Sequence, residues 1–305
     1  MFQLKDPSFV QDRGLRDHLA ERQVAPVKKA GRMQSSRLLV AQPKPEHSLL
    51  TTCTELRKGE PPIAKFEALV NQPPLSDMME GHLILGYALM PATVFAELAL
   101  EAATYVLEHI FGVKQSLPCL EIANLQMYSS VFPDPHSPHQ AIEIDTLGSP
   151  LDPNGCAIQF FSRQIESGQA HQHGSCTVSV VNDAALEKEW SRMRRLVVER
   201  IAALKAQPET VLRRPMVYRR FETIVAYSSA YQGIDQATFD ASGHEATSTV
   251  FLQPTSSSGA FVCSPMLLDS LGQLLVSRLV PAAQHLLILS SPSALGSAAT
   301  LASLR

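Results

Sequence analysis

Two residues stand where their chemistry would be useful. His82 lies in Met79-Glu-Gly-His-Leu-Ile-Leu-Gly-Tyr-Ala-Leu-Met-Pro91, ahead of a proline that opens a long apolar run, with Gly86 between them. An imidazole in an apolar site titrates near neutrality and suits a general base. Just ahead of a buried helix, it would project into the mouth between helix and sheet. There Gly86 would allow a ligand close to the backbone, and the unpaired N–H groups of the helix start at Pro91 would polarise a carbonyl oxygen. Asp269, in Ser264-Pro-Met-Leu-Leu-Asp-Ser-Leu-Gly-Gln273, begins a leucine-dominated helix. Burial disfavours the charged form of a carboxylate, so its pKa should rise and it could act as a proton donor. Each residue also has a plainer reading: a histidine satisfied in a turn, and an aspartate stabilised by the dipole at a helix start. Tyr227, Tyr231 and Gln273 are candidate pocket-lining groups, each equally able to be structural.

The elements that must hold these residues follow from the apolar spacing. Pro91 to Phe111 contains no internal glycine or proline and predicts a long helix, with proline fitting its first turn. Glu97, Glu101 and Glu108 fall within about 40° at 100° per residue, a narrow polar stripe on an otherwise apolar cylinder. Such a helix needs a wrapper. The runs Leu120 to Phe132, Ala141 to Leu147, Cys156 to Arg163 and Gly174 to Val181 read as strands, separated by turn-rich PDPHSPH and GSPLDPNG. Ser48 to Cys53 and Ile63 to Val70 add β-prone runs before the helix. Residues 184 to 206 predict a charged amphipathic helix, with Trp190 as its packing anchor. Strand-like patterning resumes near Met216 (VYRRFETIVAY, QATFD, ATSTVFLQP), and MLLDSLGQLLVSRLV follows as a second helix. The same element set thus occurs twice, without a residue-level repeat.

At this point the residues resemble a known family. His-x3-Gly-x4-Pro followed far downstream by Asp-x3-Gln looks like the double hot-dog of polyketide synthases, which includes dehydratase domains and the product-template domains of fungal non-reducing synthases. Met90-Pro-Ala-Thr-Val-Phe-Ala-Glu-Leu-Ala-Leu-Glu-Ala-Ala, Val217-Tyr-Arg-Arg-Phe and Val225-Ala-Tyr-Ser-Ser-Ala-Tyr-Gln-Gly-Ile resemble the product template. Dehydratases carry Tyr-Gly-Pro-x-Phe where this chain has Ser228, Ser229, Ala230 and Tyr231. The resemblance implies an α+β fold of two curved antiparallel sheets, each wrapped around a long helix. It implies His82 as base and Asp269 as acid in aldol cyclisation of a poly-β-keto chain. The substrate would arrive on the phosphopantetheine arm of an acyl carrier protein, with no cofactor bound directly. Neighbouring synthase domains are the implied partners, and a homodimer is compatible with the resemblance. A β-hydroxyacyl dehydratase is the alternative within the fold, and a non-catalytic synthase fragment the alternative outside it.

Composition narrows the field. The 305 residues carry a net charge of −3, with 26 basic and 29 acidic side chains, which argues against a nucleic-acid platform. Five scattered cysteines without a CxxC spacing indicate neither a zinc site nor a disulfide framework. His171 and His173 alternate as a metal pair would, but no third ligand stands at a plausible spacing, so no metal is expected. The charged N-terminus lacks a signal-peptide core, and the apolar stretch from Leu267 to Leu289 is broken by Asp269, Gln273, Arg278 and His285. A soluble, cytoplasmic protein is expected, without nucleic-acid or membrane partners. The expected organisation is an arm over 1–46, an N-terminal hot-dog over 47–182, a connecting helix over 183–211 and a C-terminal hot-dog over 212–305. Only 36 residues follow Asp269, and they are serine-rich without strand alternation, so the second hot-dog is expected to stop early near Leu279.

Overall fold

In the computed structural model, residues 45, 48–113, 118–152, 154–163, 168–241, 245–252 and 260–277 are described. The chain runs β1 (Thr52–Arg57), β2 (Ile63–Leu69), α1 (Leu75–Glu80), β3 (His82–Ile84), β4 (Tyr87–Ala88) and α2 (Ala92–His109), then β5 (Leu120–Met127), β6 (Ala141–Leu147), β7 (Cys156–Arg163) and β8 (Ala170–Val180). It continues with α3 (Asp183–Ala206), β9 (Thr210–Arg213), α4 (Arg214–Phe221), β10 (Val225–Tyr227), a 3₁₀ turn (Ser229–Tyr231), β11 (Ile234–Phe239), β12 (Ala246–Val250) and α5 (Pro265–Ser277).

Six antiparallel strands in the order β1-β2-β6-β7-β8-β5 curve around α2. Their inner faces are written in period two, so that one register row crosses the sheet: Phe66 opposite Ile144, Ile144 opposite Phe160, Phe160 opposite Gly174. Aromatic edges from that row meet the helix, Phe66 against Tyr105 and Phe95 against Phe160, both with ring centroids 5.1 Å apart. Thr146 occupies the same buried face, and its hydroxyl is satisfied by both main-chain groups of Ala64. Every residue of α2 from Val94 to Leu107 is buried. The wrapped helix expected from the sequence is therefore present.

Within the glutamate stripe, Glu97 and Glu101 are fully buried. Each is answered by main-chain N–H groups from a passing segment. Leu49 and Leu50, ahead of β1, donate to Glu101 at 2.9–3.2 Å. Val262 and Cys263, ahead of α5, donate to Glu97. Burial still outweighs these bonds and pushes Glu97 up to about 7 and Glu101 up to about 8.

The second half is smaller. Among the described residues, β12-β11-β9 forms one three-stranded sheet and β10-β3-β4 another. The latter takes β3 from the first half, so the two halves share a sheet as well as a core in which Tyr231 and Met266 join the residues of α2. The strand expected near Met216 is instead α4. Pro215 pre-sets the first helical turn, and buried Val217, Tyr218 and Phe221 recur at helical spacing. The early end expected near Leu279 falls on residues outside those described.

Trp190 is not a packing anchor. It is 67% exposed, as are most apolar side chains of α3, and only Leu204 near the helix end is buried. Among the described residues no helix is long and apolar enough to cross a membrane.

Folding raises the Glu101 carboxyl from 4.5 to about 8, so the native chain holds more protons than the unfolded chain between those values. Its contribution to stability is full below about pH 4.5 and lost as pH rises through about 8. The difference in melting temperature between Glu101→Gln and wild type should therefore move in favour of the mutant from pH 5 to 8.5. A pH-independent difference would exclude an ionisable Glu101.

Candidate functional site

The two halves meet along a three-residue ladder in which His82 of β3 lies opposite Tyr227 of β10. Opposed residues on an antiparallel pair are side-chain neighbours. The imidazole accordingly sits edge-on to the Tyr227 phenol at 5.3 Å between centroids, and to Tyr231 at 5.6 Å. β3 ends in a tight hairpin whose turn residues, Leu85 and Gly86, both have positive φ. That turn accounts for the glycine. Gly86 is exposed at the hairpin tip, with nothing within 4 Å of an added Cβ, so the structure gives no support to its expected place in the pocket. Pro91 is buried at the N-cap of α2 in an extended conformation.

Asp269 approaches from α5, its Oδ1 3.8 Å from His82 Nε2. That gap exceeds hydrogen-bond length, so neither atom is committed to the other. The carboxylate's second oxygen is fixed. Gln273, one turn along α5, donates from Nε2 to Asp269 Oδ2 at 2.7 Å and to the Tyr231 carbonyl at 2.9 Å. Its amide orientation is set in turn by Tyr218, whose hydroxyl donates to Gln273 Oε1 at 2.8 Å and accepts the Ile234 N–H at 2.9 Å. Ser270 adds a bond to the same Tyr231 carbonyl at 3.2 Å. This close seating of α5 needs Gly233, since a Cβ there would come within 2.5 Å of Ser270 Oγ.

The electrostatics follow from exclusion of water. Burial lowers the His82 imidazole below its usual 6.5, against the smaller pull of Asp269. Burial raises Asp269 above its usual 3.8, against the smaller pull of His82 and the Gln273 hydrogen bond. Desolvation and then the Asp269 charge hold the phenols of Tyr227 and Tyr231 well above their ordinary range, and burial puts Tyr218 at about 12. An imidazole and a carboxyl each shifted toward the neutral form, beside two protonated phenols, form a site able to take a proton at one point and return one at another. At this site, two buried polar atoms have no hydrogen-bond partner among the described residues, His82 Nδ1 and the Tyr231 hydroxyl.

His82, Tyr227, Tyr231, Asp269 and Gln273 are thus brought together. Tyr218 and Ser270 were missed by sequence reasoning. The helical spacing of Val217, Tyr218 and Phe221 was the available signal for the first. His171 and His173 stand elsewhere, each bonded to the Ser129 hydroxyl at 2.8–2.9 Å, with His173 also on Ser162, and burial first, then the charge of His171, lowers His173 to about 4.

Removing the unanswered Tyr231 hydroxyl should relieve a desolvation cost. Tyr231→Phe should raise stability by about 1 kcal/mol, a few degrees in melting temperature. A drop in melting temperature would show that the hydroxyl has a partner within the folded chain.

No family model matches the sequence. The chain is similar to non-reducing polyketide synthase PKS16 of Cladonia grayi, 27% identical over 241 residues that cover 76% of this chain and 11% of that protein. It is likewise similar to orsellinic acid synthase of Emericella nidulans, 29% identical over 68% of this chain and 10% of that protein. The chain thus spans about a tenth of the length of the curated relatives it matches. Among solved structures, the dehydratase domain from the CurF module of curacin polyketide synthase superposes with a TM-score of 0.54 at 17% identity, covering 76% of each chain. The dehydratase domain of a mycocerosic acid synthase-like polyketide synthase gives 0.53 at 16% identity over 76% of this chain and 73% of that one. The fold is that of polyketide synthase dehydratase hot-dog domains, and the sequence relatives are fungal non-reducing synthases.

Proposed function

We propose that this chain is a product-template-like domain that folds a carrier-bound poly-β-keto chain and closes a ring in it by aldol chemistry. The observation that carries the reading is the facing of His82 and Asp269 across 3.8 Å in an aromatic, water-excluded setting, each pushed toward its neutral form. Neutral His82 takes a proton from a methylene flanked by two carbonyls, and the resulting enolate attacks a distant carbonyl carbon of the same chain. As that C–C bond forms, the carbonyl π bond breaks and its oxygen takes the Asp269 proton. Transfer of the proton from imidazolium back to carboxylate restores the pair. Loss of water then aromatises the ring. The methylene is acidic without help, so the protein's larger task is holding the chain in one near-attack geometry. His82 Nδ1 and the Tyr231 hydroxyl supply polar groups that a bound polyketone could answer.

A second reading, β-hydroxyacyl dehydratase, is favoured by the solved structures of this fold. The relatives favour the cyclase, because a synthase described as non-reducing does not generate β-hydroxy groups by ketone reduction. On either reading the chain works beside neighbouring synthase domains and a carrier protein, in a soluble compartment.

Incubation with a carrier-bound poly-β-keto chain separates these readings. Wild type should give one dominant cyclised product, and His82→Ala should lower its rate of formation by about 10²–10⁴-fold in favour of spontaneous products. Identical product profiles would reject the cyclase. The rate should also fall on the acid side as His82 protonates and on the basic side as Asp269 ionises, and Asp269→Asn should abolish the basic limb.

A further inference from the structure

Glu97 and Glu101 sit one turn apart on α2, both fully buried, and neither takes part in the proton transfers above. They clamp different parts of the chain. Glu101 holds Leu49 and Leu50 at the entrance to β1. Glu97 reaches the other way, Oε1 accepting the Val262 N–H at 2.5 Å and Oε2 the Cys263 N–H at 2.8 Å.

Val262 and Cys263 immediately precede Ser264 and Pro265, where α5 begins, and Asp269 lies in the second turn of that helix. Pro265 has no N–H to offer, and Ser264 Oγ meets the helix start only at 3.4 Å from the Leu267 nitrogen. Two consecutive N–H groups on the two oxygens of one carboxylate define both position and orientation, as a single hydrogen bond cannot. Behind this clamp Met266 is buried in the core shared with α2, and α5 packs along α2.

We propose that Glu97 is a positioning residue that sets where α5 begins and thereby fixes the separation of Asp269 Oδ1 from His82 Nε2. The inference rests on the cyclase reading only for its effect on activity. The separation itself can be measured without any substrate.

The coupling of the pair is the readout. In the 305-residue chain, the His82 titration is followed by NMR with and without Asp269→Asn, and the change in its midpoint measures how strongly the two groups interact. The same cycle is repeated in Glu97→Ala and Glu101→Ala backgrounds. Loss of Glu97 should remove half or more of the coupling, whereas loss of Glu101, which holds the entrance to β1 and reaches the clamp on α5 only through its hydrogen bond to Glu97, should remove clearly less. Should Glu97→Ala not fold, Glu97→Gln keeps the volume and one acceptor while facing the second N–H with an amide donor, and should give a smaller loss of the same sign. Unchanged coupling in a folded Glu97 variant overturns the proposal. So does an equal loss in the Glu101 background, which would mark general loosening of the core. Failure of the cyclase reading would appear separately, as a product profile insensitive to His82→Ala with the coupling result intact.

Discussion

A ladder of three residue pairs decides where the chemistry sits. β3 is too short to be stable by itself; β4 covers one of its edges with two residue pairs, and β10, from the other half of the chain, covers the other. That pairing sets His82 against Tyr227, turns the chain from Tyr227 through the 3₁₀ turn to Tyr231, and presents the Tyr231 carbonyl that receives Gln273 and Ser270 of α5. Asp269 is placed by these bonds. The site is therefore a product of the junction between the two halves and belongs to neither.

The electrostatic state of the pair follows from the same packing. A salt bridge would form if attraction exceeded the cost of removing both charges from water. Here desolvation is the larger effect for each group, and 3.8 Å leaves the attraction weakened. Polar contacts around Asp269 come from a neutral amide, which orients the carboxylate without supplying a full charge. A lysine or arginine in the place of Gln273 would hold Asp269 ionised.

Much of this was legible in the sequence where one periodicity dominated. The unbroken run after Pro91 gave α2, alternation gave β6 and β7, and the motif spacing selected His82 and Asp269. Legibility failed where local pattern and tertiary context diverge. VYRRF alternates well enough to pass as a strand, but Pro215 and the burial of Val217, Tyr218 and Phe221 make it a helix, and with it Tyr218 was lost from the site. The glutamates of α2 read only as a narrow polar stripe, because nothing local reveals main-chain donors arriving from more than 50 and more than 160 residues away. Trp190 read as an anchor because amphipathic spacing says which face is apolar, not whether anything covers it.

The shared sheet also orders events in time. During synthesis the first hot-dog can close around α2 as soon as β8 has formed, since its pairings are complete within that half. β3 can pair with β4 at once, but His82 meets Tyr227 only when β10 arrives, and Asp269 comes later still. Contacts of such long sequence separation pay their loop-closure entropy last. A nascent chain thus carries its histidine without the carboxylate neighbour until α5 docks, so the His82–Asp269 pair is complete only when the final described helix is in place.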